Sequence, residues 1–233
     1  MRTALVFSIF AAAVFTAAPT HGGKTACPAN LAAAVGGVGG AGQLITVEAP
    51  RFKTTSAALR LWRRDRGCWT PVAGPWTARV GWNGLAERRR EGDGTTPAGV
   101  FTIGRVMYGN APNPGVRHRY RRLVCGDWWN EDPSSPTYNT FQHVRCGARP
   151  PFRVTTPGLW QEKRAYRHFA VIEFNMRPVV AGRGSGIFLH AQTGSSTNGC
   201  VSLPVDKLVT ALRWLEPASK PRIAIGTRAS LTR

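Results

Sequence analysis

The chain is short of negative charge, of long apolar runs and of closely paired cysteines. Its 233 residues hold 12 acidic side chains against 31 lysines and arginines, a formal charge of +19. Such an excess calls for anionic surroundings, reached through fields that salt screens. Nucleic acid is one such partner, but Arg88-Arg89-Arg90 and Arg117-His118-Arg119-Tyr120-Arg121-Arg122 lie apart in sequence, with no nucleic-acid motif beside them. They read as solvated basic faces, and no specific nucleic-acid partner is expected. Beyond the N-terminus no stretch is apolar enough to span a bilayer. The cysteine spacing is not that of a metal site, so neither metal nor cofactor is expected. There is no internal repeat.

What is present begins with Arg2, an apolar run from Ala4 to Phe15 and the small residues Thr16-Ala17-Ala18. This pattern predicts a secretory signal peptide over residues 1–26, its apolar run too short to cross a membrane as a helix. Lys24, three positions before Cys27, argues against a lipid anchor. Export permits disulfides, and five cysteines make two pairs and one remainder. Cys125 and Cys146 bracket a Trp- and Pro-rich excursion, where a bridge would contribute about 3 kcal/mol by loop entropy. Cys27 with Cys68 is then the second pair and Cys200 the free thiol. Parity also permits a bridge that includes Cys200, which would leave it without chemistry.

Residues 27–42, ending in Gly36-Gly37-Val38-Gly39-Gly40-Ala41-Gly42, read as a flexible Gly-rich arm, and 43–233 as one domain. Short β-branched and aromatic runs bounded by Gly and Pro predict strands at 43–49, 57–64, 69–73, 77–82, 100–106, 169–174, 186–191 and 222–225. One helix is expected: Pro204 precedes Val205, Leu208, Val209, Leu212 and Leu215 at helical spacing, ending before Pro217. The fold class is mainly β, a sandwich or barrel-like domain with one late α-helix packed on its core.

The chemistry is carried by His190, at the end of Gly186-Ile187-Phe188-Leu189-His190, and by Thr197-Asn198-Gly199-Cys200-Val201. An unassisted thiol, with a pKa of about 8.5, is mostly protonated at neutral pH and needs an imidazole to take its proton. Gly199 allows a tight turn, so that the N–H groups of Gly199 and Cys200 point at a developing oxyanion, each donor worth on the order of 3 kcal/mol. The pattern predicts acyl transfer through a thioester. Papain-like proteases place Cys before His, and sortases place the two far apart in sequence. Trp128, Trp129, Tyr138 and Asn139 are candidates for a wall over the cleft, with packing of their loop as the alternative reading.

The His190…Cys200 segment resembles the catalytic segment of the bacterial L,D-transpeptidase family, in which a His precedes Ser/Thr-x-Gly-Cys. Thr96-Pro97-Ala98-Gly99-Val100-Phe101, preceded by Gly92-Asp93-Gly94, is similar to that family's T-P-x-G-x-F segment. Tyr108 to Gly115 and Asp127-Trp128-Trp129 are similar to a secreted branch. The resemblance implies a β-sandwich or barrel-like fold and an exported enzyme of the bacterial cell envelope. Its partners would be peptidoglycan stem peptides and, by charge, anionic wall polymers. It also implies that the Ala191 carbonyl orients His190 and that Asn175 lies near the site. Thr197, Asn198, Asn175, Trp129 and Tyr138 are the expected substrate contacts. Many members carry a second His at the Asn198 position and an Arg at the Ser202 position. The alternatives are L,D-carboxypeptidase trimming and a non-catalytic, basic wall-binding protein.

Overall fold

The computed structural model describes residues 26–233, so the predicted signal peptide lies outside the described residues except for Ala26. Strand β1, Gln43–Ala49, is buried on both faces, and this organises the domain. Ile45, Val47 and Ala49 enter the main core while Leu44 enters a second cluster. The strand therefore needs cover on both sides. It pairs antiparallel with β2, Ser56–Asp65, which turns through Arg66-Gly67 into β3, Cys68–Arg79. Two strands were expected where β3 runs unbroken. The chain bulges at Gly74-Pro75 instead of ending there, with Gly74 at φ 91°, where an added Cβ would meet the Leu59 carbonyl at 2.4 Å.

After β4, Leu85–Ala86, and β5, Thr96–Pro97, come the long β6, Gly99–Gly109, and β7, Arg119–Arg122. Next are β8, Asp127–Asn130; β9, Thr140–His143; β10, Phe169–Ile172; β11, Phe188–Ala191; β12, Val201–Leu203; and β13, Arg222–Thr227. The large sheet runs β10-β11-β12-β3-β2-β1-β13-β6-β7, and β10 also pairs with β6. This extra pairing closes eight strands into a ring, which removes the free edges of all but the flanking β7. The domain is mainly β and barrel-like.

Residues 27–42 are not a flexible arm. Helix α1, Leu31–Ala34, is capped by Asn30, and Leu31, Ala32, Val35, Val38 and Ala41 pack with Leu44, Trp62, Trp69, Ala224 and Leu231. The second apolar face of β1 is what draws the segment down, and the glycines act as turns within it. Disulfides join Cys27 to Cys68, at the base of this cover, and Cys125 to Cys146. The expected late helix is α2, Val205–Trp214, which buries Leu208, Ala211 and Leu212 against the core. Each fully buried leucine there is worth about 2 kcal/mol. A last short helix, α3, Arg228–Leu231, opens with a capping box between Thr227 and Ser230. Among the described residues no helix is long and apolar enough to cross a membrane.

Candidate active site

The pairing of β11 with β12 brings the two candidate residues together. These strands are parallel, with His190 opposite Ser202. Side chains alternate along a strand, so Phe188 and His190 share one face of β11. Cys200, two residues before Ser202, falls on that same face at the mouth of β12. The thiol of Cys200 donates to the Gly186 carbonyl at 3.3 Å and lies 3.4 Å from the Phe188 N–H. Cys200 is the one free cysteine among the described residues. Nδ1 of His190 lies 2.8 Å from the Ala191 carbonyl, which can only accept. The proton therefore sits on Nδ1, leaving the Nε2 lone pair to receive another.

Burial sets the charge state of the pair. It pushes the Cys200 thiol up to about 12, and it holds the His190 imidazole down to about 4 against the pull of the Ala191 and Ala165 carbonyls. At neutral pH the resting site is a neutral thiol beside a neutral imidazole.

The loop before Cys200 is held by Thr197. Its Oγ1 donates to the Cys200 carbonyl at 2.6 Å and accepts from the Gly199 N–H at 3.1 Å. The Gly199 N–H is thus engaged within the loop and is not the free oxyanion donor expected from the sequence. Gly199 adopts φ 131°, and an added Cβ would stand 2.8 Å from the Thr95 carbonyl. Thr96 reaches the same loop from a distant part of the chain. Its Oγ1 donates to the Cys200 carbonyl at 3.2 Å and accepts from the Gly81 N–H at 2.8 Å. Thr96 of the Thr96-Pro97 motif is therefore a brace for the Cys200 loop.

This fold, with the thiol, the imidazole and the braced loop, agrees with the sequence comparison: a family model described as the L,D-transpeptidase catalytic domain, YkuD, matches residues 45–225. The chain belongs to the L,D-transpeptidase catalytic domain family. No curated protein matches it in sequence. Among solved structures, it is similar to the helical cell shape determining protein Pgp2 from Campylobacter jejuni, at 10% identity and a TM-score of 0.37. The likeness covers 84% of this chain and 54% of that one, so the chain spans about half the length of that protein.

In this L,D-transpeptidase domain Cys200 stands where two cavities meet. The narrower, of about 270 Å³, is lined by His190, Trp129, Thr197, Asn198 and Ser202 as well as Cys200. The wider, of about 640 Å³, runs from Cys200 and Asn198 past Gly186 to Arg89, Glu131 and Arg153. Asn198, exposed, stands at the boundary of both. Trp129 is a packed wall, its ring edge-on to Phe188 at 5.0 Å and its Nε1 donating to Asn139 Oδ1 at 2.9 Å.

Two expected contacts lie elsewhere. Tyr138 is buried behind the wider cavity, with its hydroxyl donating to Glu91 and accepting from the Gly184 N–H. Asn175 fastens a surface loop, bonding Val180 and Gly184 through its side chain, and lines a separate groove. Neither lines the two cavities at Cys200, and each ties down neighbouring chain instead. An Asn in a left-handed turn, here at φ 51°, is suited to that task.

The reading of residue types passed over Glu131 and Arg89. Glu131 lines both cavities. Burial and the neighbouring Glu91 carboxylate push it up to about 7. A carboxyl raised from 4.5 to about 7 binds more protons folded than unfolded in that interval. Its contribution to stability is full below about pH 4.5 and is lost as pH rises through 7. The Glu131→Gln variant should therefore gain on the parent by on the order of 3 kcal/mol between pH 4 and pH 8. Thermal unfolding of both proteins across this range checks it, with the gain in Tm appearing on the alkaline side only.

Proposed function

We propose that the protein is an exported acyltransferase of the bacterial cell wall that acts on peptidoglycan stem peptides through a Cys200 thioester. The observation that carries this reading is the single free thiol at the junction of two cavities, one of them shared with an imidazole whose Nδ1 is pinned by a backbone carbonyl. Membership of the L,D-transpeptidase family supplies the substrate class, and two disulfides suit an oxidising compartment.

Because thiol and imidazole rest neutral, the proton moves from Sγ to Nε2 of His190 as Sγ attacks the carbonyl carbon that follows the L-centre of a diaminopimelate residue. With the Gly199 N–H engaged by Thr197, the Cys200 N–H is the loop donor facing the oxyanion. Collapse of the tetrahedral adduct breaks the C–N bond, and the departing D-Ala amine takes the proton from His190. A side-chain amine of a second stem peptide then attacks the thioester, giving a crosslink and restoring the thiol. The two cavities leave room for a donor on one side of Sγ and an acceptor on the other.

The test is mass spectrometry of the products formed from a disaccharide tetrapeptide containing meso-diaminopimelate. Crosslinked dimers with release of D-Ala are expected. Release of D-Ala without dimers would replace crosslinking with trimming, and unchanged peptide would overturn the reading in favour of a wall-binding role.

A further inference from the structure

Arg89 belongs to a triplet that reads as solvent-facing, and Arg88 and Arg90 are indeed exposed, yet Arg89 is only 4% exposed. Its Nε and Nη1 have no hydrogen-bond partner. The Asp93 carboxylate lies 3.8 Å from Nε, but its oxygens already accept from the N–H groups of Arg90 and Thr95 and from Thr95 Oγ1. Gly184 makes room for the guanidinium, since a Cβ there would stand 2.7 Å from Nε. A buried, unsatisfied guanidinium is strongly unfavourable unless an anion completes it.

In the same cavity Glu131 lacks a cation. Among the described residues it forms no ion pair, although it lies close enough to Arg89 to feel its charge. Neighbouring Glu91 is occupied, accepting from the Tyr138 and Ser185 hydroxyls. The wider cavity thus carries on its wall a guanidinium with two unbonded nitrogens and a carboxyl without an ion-pair partner, with the Cys200 thiol at its end.

We propose that this cavity is a subsite for a zwitterionic α-amino-acid centre, its carboxylate gripped by Arg89 and its ammonium by Glu131. The assignment rests on the stem-peptide reading, because a diaminopimelate residue carries such a centre on its side chain. Arg89 offers a planar fork to a carboxylate, and the acid placed across from it rejects a bare dianion. The subsite would orient the donor by the far end of the residue whose carbonyl Cys200 attacks.

The test is calorimetric titration of the full Cys200→Ala protein, which binds without turnover, with the tetrapeptide L-Ala-γ-D-Glu-meso-diaminopimelate-D-Ala. Three modified forms are compared: amidated on the diaminopimelate side-chain carboxylate, acetylated on its side-chain amine, or amidated at the D-Ala terminus. Each side-chain modification should weaken binding about 10- to 100-fold, and the terminal amide much less. Adding Arg89→Gln should remove the sensitivity to side-chain amidation, and adding Glu131→Gln the sensitivity to acetylation. Because the modified peptides act on one protein, the result does not depend on either second variant folding. Equal affinity for all forms, or loss with the terminal amide alone, overturns the subsite and leaves the stem-peptide reading standing. No binding of the unmodified peptide overturns both.

Discussion

Cys200→Ala should lose turnover by on the order of 10⁵-fold or more, His190→Ala should lose a comparable amount, and the double variant should be no worse than either. The non-additivity is the informative part. The imidazole matters only as the acceptor of the Cys200 proton, so once either member is gone the other has nothing to do. Because burial pushes the thiol up to about 12 and the imidazole down to about 4, no preformed thiolate-imidazolium pair is expected in the proposed mechanism. Iodoacetamide should therefore alkylate Cys200 at pH 7 more slowly than it alkylates free cysteine, with the rate still climbing between pH 8 and 10. A plateau reached below pH 7 would mean that the pair rests charged and would refute the concerted transfer. Stability should change little in Cys200→Ala, since the thiol makes two weak sulfur contacts, at 3.3 and 3.4 Å.

The free thiol of Cys200, the His190 imidazole that lines the same cavity and the Ala191 carbonyl on its Nδ1 could be picked out of the sequence because they lie within eleven residues, and local spacing constrains local geometry. Strand β1 was legible from its short run of β-branched and apolar residues, and helix α2 from apolar residues at helical spacing. The short strand β12 was not, since three residues carry no period, although it is the pairing of β12 with β11 that brings Cys200 and His190 to one cavity. The Gly-rich cover was misread because composition reports chain flexibility and not the apolar face waiting beneath, formed by Leu44, Trp62 and Trp69. Arg89 and Glu131 were missed for a related reason. A charged residue in sequence has surface exposure as its ordinary expectation, and burial of one arginine of three is decided by Gly184 and Phe174, some 90 residues away.

Asn139→Ala should be strongly damaging, lowering stability by about 4 kcal/mol and Tm by about 10 °C. Asn139 is 1% exposed and uses all four of its amide valences. Oδ1 accepts from Trp129 Nε1 at 2.9 Å and from the Gly186 N–H at 3.0 Å, while Nδ2 donates to the carbonyls of Phe174 at 3.0 Å and Asn175 at 2.8 Å. Alanine leaves two donors and two acceptors unsatisfied in the interior, and places a Cβ-bearing residue without local hydrogen bonds at φ 58°. Asn139→Gly separates the two contributions: it relieves the backbone but not the lost bonds, and should recover about 1 kcal/mol. Activity should fall with stability, because the residue fixed by Oδ1 is Gly186, whose carbonyl accepts the Cys200 thiol. At a temperature where the variant is fully folded, kcat should still drop at least about tenfold, as expected when a catalytic group loses its positioning by a fraction of an ångström. A variant that melts within 2 °C of the parent and turns over normally would show that the excursion between Cys125 and Cys146 supports its own loop and not the nucleophile.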